Sequence, residues 1–371
     1  MDSPATAGRR IVAMSTTDDL ALQHALLHGV SRTFALTIPV LPPKLEPVIG
    51  NAYLLCRITD TIEDHAALDP VAQAALYERF IAAVEGHGDA AAFARDFGAR
   101  LTAHASDDER RLIAETPRVL AITAGFSAEQ RAALAECVAV MGRGMAEFQR
   151  SKSTAGLADL AEHAHYCYVV AGCVGEMLTR LFIGYRPELA ARRTEMLRLS
   201  VSFGQCLQMT NILKDFWEDR AQGACWLPRD VFLAEGLELA AAQPGDARFA
   251  RGYRRLLGLA HAHAENALRY TLLLPPRETG LRNFCLWALF MALLTQRKLF
   301  AHPGFARGAE VKITRRSVYR TVAWCKLTAS FDALVKASFA LLAHRLPPPA
   351  SGDFTPVVAE RGADSEAEVL R

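Results

Sequence analysis

Residues 208–219 read Gln-Met-Thr-Asn-Ile-Leu-Lys-Asp-Phe-Trp-Glu-Asp and have the spacing of a buried helix that carries one acidic stripe. Asn211, Asp215 and Asp219 follow one another at intervals of four residues, so their side chains share one face of a helix, with Glu218 beside them. The remaining faces carry apolar residues: Ile212, Leu213 and Phe216. This pattern predicts a helix that is buried except along its oxygen-rich side.

A second acidic group lies earlier in the chain. The segment Asp60-Thr61-Ile62-Glu63-Asp64 ends a strongly apolar stretch that begins at Ala52. On a helix, Asp60 and Asp64 lie one turn apart on the same face, and Glu63 lies next to them.

Two acidic stripes on otherwise apolar helices indicate a bound cation. Carboxylates one turn apart repel each other, and burying them without partners is costly. Mg2+ takes oxygen ligands, keeps several waters and often bridges one or two carboxylates to substrate phosphates. Two facing helices of this kind could therefore hold Mg2+ with a diphosphate between them. The alternative is that each stripe is a solvated helix face, but two stripes on apolar helices favour the metal.

The whole chain between its ends has a helical pattern. Apolar residues recur at intervals of three and four, and alternation with a period of two is scarce. Helix breakers separate the periodic segments: Pro42-Pro43, Gly86 to Gly88, Gly184 to Pro187, Pro244-Gly245, Pro275-Pro276 and Pro303-Gly304. We predict an all-α fold with one large domain over residues 16–345. Residues 1–15 and 346–371 are predicted to be flexible tails, the latter because it opens with three prolines and becomes polar and acidic.

Composition excludes several classes of protein. A formal net charge of +2 predicts no nucleic-acid partner. The eight cysteines form no CxxC pair, which disfavours a zinc site and a disulfide framework and indicates thiols in a reducing cytoplasm. The apolar run Ile11–Met14 is too short for a signal peptide, and Phe284–Thr295 is shorter than the roughly 20 residues of a membrane-spanning helix. We therefore predict a cytoplasmic protein without a transmembrane helix and leave its oligomeric state open.

Four segments together resemble the squalene and phytoene synthase family, a group of head-to-head prenyltransferases. The resemblance implies an all-α isoprenoid-synthase fold with a central cavity. The resemblance extends from Ser31 to Arg320, and the order, spacing and chemistry of the segments agree with the family. The segments are Ser31-Arg32-Thr33-Phe34, Tyr53 to Arg57 leading into Asp60 to Asp64, Tyr166 to Gly175, and Gln208 to Asp219. Lys214 stands where the family often has arginine, which keeps the charge but loses the bidentate fork.

The resemblance implies a set of site residues. Mg2+ would be bound by Asp60, Asp64, Asp215 and Asp219, with Glu63, Asn211 and Glu218 as direct or water-mediated helpers. Substrate contacts are implied for Ser31, Arg32, Phe34, Arg57, Gln208, Lys214 and Phe284, although an arginine is also often a salt-bridge partner and Phe284 also fits plain core packing. Tyr166 is implied to assist proton removal from a carbocation; Tyr53 and Tyr168 could assist it or stack on cationic carbon, or equally be core residues.

The later part of the chain is similar to the family members that use NADPH. Asn283-Phe284-Cys285 and the segment from Val311 to Arg316 carry this similarity. The resemblance implies that two farnesyl diphosphates condense to presqualene diphosphate, which NADPH then reduces to squalene, with Lys312, Arg315 and Arg316 near the cofactor. A solvated basic face is the alternative for these three residues. The apolar substrate also implies transient peripheral contact with a membrane.

Three other functions remain open at this point. A member of the same family could stop at presqualene diphosphate, or form dehydrosqualene or phytoene, without NADPH. A terpene cyclase also uses acidic helices and Mg2+ but converts a single diphosphate. A non-catalytic helical protein could bind a prenyl diphosphate and leave it intact.

Overall fold

The computed structural model describes residues 16–31, 34–64 and 68–350, and these ranges fold into helices. The α-helices are, in chain order, α1 (Thr16–Val30), α2 (Phe34–Thr37), α3 (Glu46–Asp64), α4 (Pro70–Val84), α5 (Ala90–Gly98), α6 (Asp107–Ala114), α7 (Thr116–Ala124), α8 (Ala128–Arg150), α9 (Leu160–Cys167), α10 (Cys173–Tyr185), α11 (Arg193–Ala221), α12 (Arg229–Leu233), α13 (Ala247–Leu273), α14 (Thr279–Ala301), α15 (Gly308–Val311), α16 (Arg315–Thr328) and α17 (Asp332–Ala343). The described residues contain one isolated β-bridge, Leu157 to Pro228, and no strand. The all-α prediction is confirmed.

Local chemistry explains where several helices begin. Ser106 and Ser127 form capping boxes with the residues three positions later, Glu109 and Gln130. The Asp69 side chain accepts hydrogen bonds from two backbone N–H groups of the first turn of α4. These caps satisfy N–H groups that the first turn of a helix leaves without a partner.

Helix α11 lies at the centre of the fold. It packs against α10, α13 and α14, while α3 and α8 pack against each other on the other side of the cavity described below. Because α11 is surrounded, most of its apolar side chains are buried, including Ile212, Leu213 and Phe216. This arrangement confirms that the second acidic stripe belongs to an otherwise buried helix.

A π-helical turn joins α9 to α10 and brings the chain very close to α11. The turn spans Tyr168–Gly172. A Cβ atom at Gly175 would overlap the backbone carbonyl of Ser200, and a Cβ atom at Gly204 would overlap the carbonyl of Ala171. Glycine at these positions lets the π-helical turn and α10 pack against α11 backbone to backbone.

Two helical stretches have the length and mean hydropathy of a membrane span. The longest uninterrupted apolar run in the sequence is shorter than a span, because a few polar residues interrupt each stretch. They are Leu160–Tyr185 and Thr279–Ala301, with mean hydropathies of 1.4 and 1.3. In the folded chain 50% and 61% of these two windows are buried against other helices. Core helices of globular proteins share these properties, so the two stretches are weak evidence for a membrane span.

The close contact between α10 and α11 predicts that alanine substitution at two glycines of α10 changes the free energy of unfolding differently. Gly175→Ala forces its methyl group into the Ser200 backbone and should lower the free energy of unfolding by about 2 kcal/mol. Gly184→Ala is the matched control, because nothing lies within 4 Å of a Cβ there. It should leave the free energy unchanged or raise it by about 0.5 kcal/mol. Urea denaturation of the two variants measures both values, and equal effects would contradict the contact.

Candidate active site

A cavity of about 400 Å³ opens between the acidic ends of α3 and α11. Ten of the residues predicted from sequence line it: Arg57, Asp60, Glu63, Asp64, Tyr166, Gln208, Asn211, Lys214, Asp215 and Asp219. Four apolar side chains also line the cavity, and we call them the apolar wall: Val170, Ile212, Ala224 and Trp226. The predicted cavity is therefore present, and we call its carboxylate and cationic side chains the charged wall.

The carboxylates of α3 are shielded from water and close to one another. Burial raises the pKa of Asp60 to about 7, with a further increase from Asp64 that Arg57 opposes. Burial also raises the pKa of Glu63 to about 8, while Gln149 lowers it by donating a hydrogen bond of 2.8 Å from Nε2 to Oε1. Without a cation these side chains are partly protonated at neutral pH, because their charges are poorly solvated.

The carboxylates of α11 face those of α3 across the cavity. Burial raises the pKa of Asp219 to about 7, and the charges of Asp215, Glu218 and Asp64 raise it further. Since Asp64 belongs to the opposite helix, this coupling shows that the two acidic groups lie within electrostatic reach. Burial also raises the pKa of Asp215, which pairs with Lys214 at 3.0 Å between Nζ and Oδ2.

Glu218 lies at the edge of this group and carries an oxygen without a protein partner. Its Oε1 accepts a hydrogen bond of 2.8 Å from the Gly308 N–H at the start of α15. Its Oε2 is buried and has no hydrogen-bond partner among the described residues. A buried carboxylate oxygen without a donor has a ligand position to offer a cation or a water.

The donor set fits Mg2+ that is shared with a substrate. Within the described part of the chain, no three His, Cys, Asp or Glu side chains are arranged to surround one metal ion. Such closed sets are typical of structural zinc sites, whereas Mg2+ takes one or two carboxylates and fills its other positions with water and substrate phosphate. The carboxylates on each side of the cavity are hard oxygen donors of the kind that Mg2+ requires.

Three cationic side chains line the same cavity as the carboxylates. Arg57 pairs with Glu109 and approaches Asp64 at 3.9 Å, and its Nε is buried without a partner in the described residues. Lys214 lies on α11. Lys152, which follows the end of α8, lines the cavity, and its charge lowers the pKa of both Glu63 and Asp219.

Tyr166 forms the junction between the charged and the apolar walls. Its ring stacks on Trp226, with centroids 4.3 Å apart and planes inclined by 12°, and meets the edge of Phe148 at 5.1 Å. Burial raises the pKa of Tyr166 well above its ordinary value, and Glu63, Asp219 and Asp60 add to this effect. The hydroxyl therefore remains protonated beside carboxylates from both helices.

Tyr168 and Phe284 do not reach the cavity. The Tyr168 hydroxyl donates to Glu176 Oε2 at 3.0 Å, on the side of the π-helical turn that faces α8 and α10. Phe284 is buried in α14 and meets the edge of the Phe182 ring, at 6.4 Å between centroids. The structure thus separates these two residues from the acidic groups, because each points from its helix into the core.

The early serine motif borders the first acidic helix. Phe34 packs on Tyr53 with ring centroids 4.6 Å apart, and Ser31 shares a side-chain hydrogen bond with Tyr53. The charges of Arg57 and Asp60 act on the pKa of Tyr53, so this tyrosine lies near the acidic end of α3. Arg32 falls outside the described residues, and its predicted role stays a prediction.

The predicted basic segment lies next to the second acidic helix. Lys312 lowers the pKa of Asp215, and its carbonyl accepts a hydrogen bond of 2.6 Å from Lys298 Nζ. Arg315 and Arg316 are exposed in the first turn of α16. The structure therefore brings Lys312 to the rim of the site and leaves the two arginines available to solvent.

Reasoning from the sequence missed four lining residues with polar or aromatic side chains: Gln149, Lys152, Gln222 and Trp226. Gln149 lies in the last turn of α8 and Lys152 just beyond its end, far from either acidic motif in the chain. Trp226 lies in the loop after α11, held by the hydrogen bond between its carbonyl and His163 Nδ1 at 2.8 Å. No local pattern marks these residues, because tertiary packing alone brings them to the cavity.

A family model for squalene/phytoene synthase matches residues 27–317, which contain all the cavity residues named above. The chain belongs to the squalene/phytoene synthase family. A squalene synthase of Eremothecium gossypii is 28% identical over 283 residues, covering 75% of this chain and 62% of that protein. The chain thus spans about three fifths of the length of this family member.

Solved structures of family enzymes share the fold. The structure of TcSQS with the ligand BPH1237 matches with a TM-score of 0.72 and 22% identity, covering 90% of this chain and 94% of that chain. A dehydrosqualene synthase in complex with a ligand matches with a TM-score of 0.60 and 19% identity, covering 84% and 96%. Because squalene and dehydrosqualene synthases share this architecture, the fold does not distinguish their products.

The raised pKa values predict that metal-free protein loses stability as the pH increases. Asp60 and Asp219 keep their protons in the folded state up to a pH of about 7, but ionise from about pH 4 once unfolded. Unfolding then releases protons, so the free energy of unfolding falls between these pH values, on the order of 1 kcal/mol for each carboxylate in a cavity that water enters.

Chemical denaturation in EDTA at pH 5 and pH 7.5 tests this expectation. The double variant Asp60→Asn/Asp219→Asn should lose less stability than the parent protein between these two pH values. Buried His163 and His263, whose pKa values are lowered to about 4, contribute equally to both proteins and cancel in the comparison. Identical pH dependences would show that the two carboxylates are well solvated.

Proposed function

We propose that this protein is a squalene synthase, which joins two farnesyl diphosphates through presqualene diphosphate and reduces the product with NADPH. The observation that carries the proposal is the cavity in which carboxylates of α3 and α11 face each other with Tyr166 between the charged and the apolar walls. The similarity to the Eremothecium gossypii squalene synthase and the basic segment after α15 support the NADPH-dependent product.

The charged wall has the groups needed to hold a diphosphate. Asp60 and Asp64 on one helix and Asp215 and Asp219 on the other would bind Mg2+, with Glu63, Asn211 and Glu218 as direct or water-mediated supports. When bound, Mg2+ would neutralise the charge that grows on the diphosphate as the carbon–oxygen bond breaks. Arg57, Lys152 and Lys214 line the same cavity and offer positive charge to the phosphate oxygens.

The apolar wall has the groups needed beside a carbocation. The stacked rings of Tyr166 and Trp226 offer an aromatic face, which attracts a desolvated cation by about 2 kcal/mol or more. The protonated Tyr166 hydroxyl can accept a proton from carbon while it passes its own proton to a neighbouring anion. The charges of Glu63, Asp219 and Asp60 act on the pKa of Tyr166, which supports a relay that ends on one of these carboxylates once a cation keeps it ionised, or on the diphosphate.

The rim of the site has the charge needed for the cofactor of the second step. Lys312 lies close enough to Asp215 to lower its pKa, and Arg315 and Arg316 are exposed where α16 begins. These cations would hold the phosphates of NADPH, which supplies the hydride for reduction of the rearranged cation. A cytoplasmic location accords with eight free cysteines and remains part of the proposal.

Incubation of the purified protein with farnesyl diphosphate separates the possible products. With Mg2+ and NADPH we expect squalene, and with Mg2+ alone we expect presqualene diphosphate or unreduced C30 hydrocarbon. Chelation with EDTA, or the double variant Asp64→Asn/Asp215→Asn, should abolish turnover. In both cases Mg2+ is no longer held in the cavity to neutralise the charge of the leaving diphosphate. A product that is the same with and without NADPH would identify the protein as a dehydrosqualene or presqualene diphosphate synthase. A C15 product would identify a terpene cyclase, and recovery of intact farnesyl diphosphate would identify a binding protein.

The two tyrosines of the π-turn region should differ in their effect on catalysis. Tyr166→Phe keeps the stack on Trp226 but removes the hydroxyl, so the turnover number should fall by about 100-fold or more while the KM for farnesyl diphosphate changes little. Tyr168→Phe is the matched control, because its hydroxyl bonds Glu176 outside the cavity, and its turnover should stay within about 3-fold of the parent protein. Equal losses in both variants would remove Tyr166 from the proposed proton relay.

A further inference from the structure

Exposed apolar side chains are concentrated in the last two helices of the described chain. Twelve large hydrophobic residues are exposed in the described ranges, and six of them lie between residues 319 and 341. These six are Tyr319, Trp324, Leu327, Phe331, Leu334 and Leu341. Single exposed hydrophobic residues are ordinary, but a cluster of this kind marks a surface that meets a partner.

Five of these residues form one continuous surface. Trp324 and Leu327 lie one turn apart on α16, and Leu334 and Leu341 lie two turns apart on one side of α17. The Trp324 indole N–H donates to Ser338 Oγ at 2.8 Å, which joins the two helices at a residue between Leu334 and Leu341. Phe331 occupies the turn between the helices. We call Trp324, Leu327, Phe331, Leu334 and Leu341 the C-terminal apolar surface.

The helices that carry this surface are firmly attached to the core. Val322 and Cys325 of α16 and Val335 and Phe339 of α17 are buried. Both helices pack on α14, where the buried Arg282 donates hydrogen bonds to the Ala329 carbonyl at 3.0 Å and to Asp332 at 2.6 Å. The C-terminal apolar surface is therefore the outer face of a well-packed hairpin.

Positive charge surrounds the C-terminal apolar surface. Residues 312–345 contain seven Lys and Arg residues and one acidic residue, Asp332, although the whole chain contains 42 Lys and Arg and 40 Asp and Glu. The charge of Asp332 is compensated by Arg282. Six of the cations are exposed on α16, α17 or just after them: Arg315, Arg316, Arg320, Lys326, Lys336 and Arg345.

We propose that the C-terminal apolar surface docks on a lipid bilayer that carries anionic headgroups. Aromatic and leucine side chains enter the boundary between headgroups and acyl chains, while Lys and Arg side chains at the rim pair with lipid phosphates. Charge disfavours a second copy of this chain as the occupant, because two identical cationic surfaces would repel each other. Helix α16 has 14 residues and is about 20 Å long, and Lys312 at the cavity rim lies just before its first residue. Docking would therefore hold the rim about 20 Å from the end of α16 that lies nearest to α17.

Sedimentation of the full chain with lipid vesicles tests the proposal without substrate, independently of the proposed function. The vesicles are phosphatidylcholine with and without phosphatidylglycerol. Leu327 and Leu341 are 72% and 74% exposed, so Leu327→Ser/Leu341→Ser should fold normally and bind anionic vesicles about 10-fold more weakly than the parent protein. Val71→Ser/Leu233→Ser is the matched control, with side chains 78% and 53% exposed elsewhere, and should bind like the parent.

A second pair of variants tests the charge. Arg320→Gln/Lys336→Gln should weaken binding to anionic vesicles and reduce its dependence on salt, whereas Lys44→Gln/Arg100→Gln, both exposed and distant in sequence, should not. Equal binding by the surface variants and their controls would overturn the proposal. A dimer of the parent protein that Leu327→Ser/Leu341→Ser dissociates, measured by light scattering, would assign the surface to a second copy instead.

Discussion

Buried like charges are the constraint on which this structure depends. Carboxylates on α3 and α11 face each other across one cavity, and burial together with mutual repulsion raises the pKa values of Asp60, Glu63 and Asp219 to between about 7 and 8. A fold keeps such an arrangement at a cost in stability unless cations and a polyanionic ligand complete it. The same constraint explains why Arg57, Lys152 and Lys214 line the cavity, since each supplies charge without closing the space that a diphosphate needs.

The backbone contact between α10 and α11 connects this charged wall to the apolar one. Glycines at 175 and 204 let the helices touch, and the π-helical turn between α9 and α10 changes the direction in which successive side chains point. Tyr166, before the turn, faces the cavity and stacks on Trp226, while Tyr168, at its first position, points to Glu176. Two tyrosines that are two positions apart in the chain thus acquire different surroundings. Tyr166 lies near the carboxylates of both helices, and Tyr168 is buried and bonded to Glu176 outside the cavity.

The surface of the molecule adds a feature that neither acidic motif indicates. The hairpin of α16 and α17 combines an apolar outer face with a cationic rim, and α16 begins close to the cavity at Lys312. A ligand with a long hydrocarbon tail partitions into lipid. A bilayer-facing surface near the site would therefore shorten the path through water that such a tail must cross between the membrane and the cavity.

The sequence by itself determined the helical class, the two acidic stripes and the family, because these depend on spacing within single segments. Asp60 with Asp64, and Asp215 with Asp219, lie one turn apart in any helix, and the apolar residues around them require burial wherever the helix packs. The sequence did not show that Tyr168 and Phe284 point into the core, nor that Gln149, Lys152 and Trp226 reach the cavity. Those positions were decided by the tertiary structure, since the direction of a side chain relative to another helix depends on the crossing of the helices and on the π-helical turn, and neither leaves a periodic pattern in the chain.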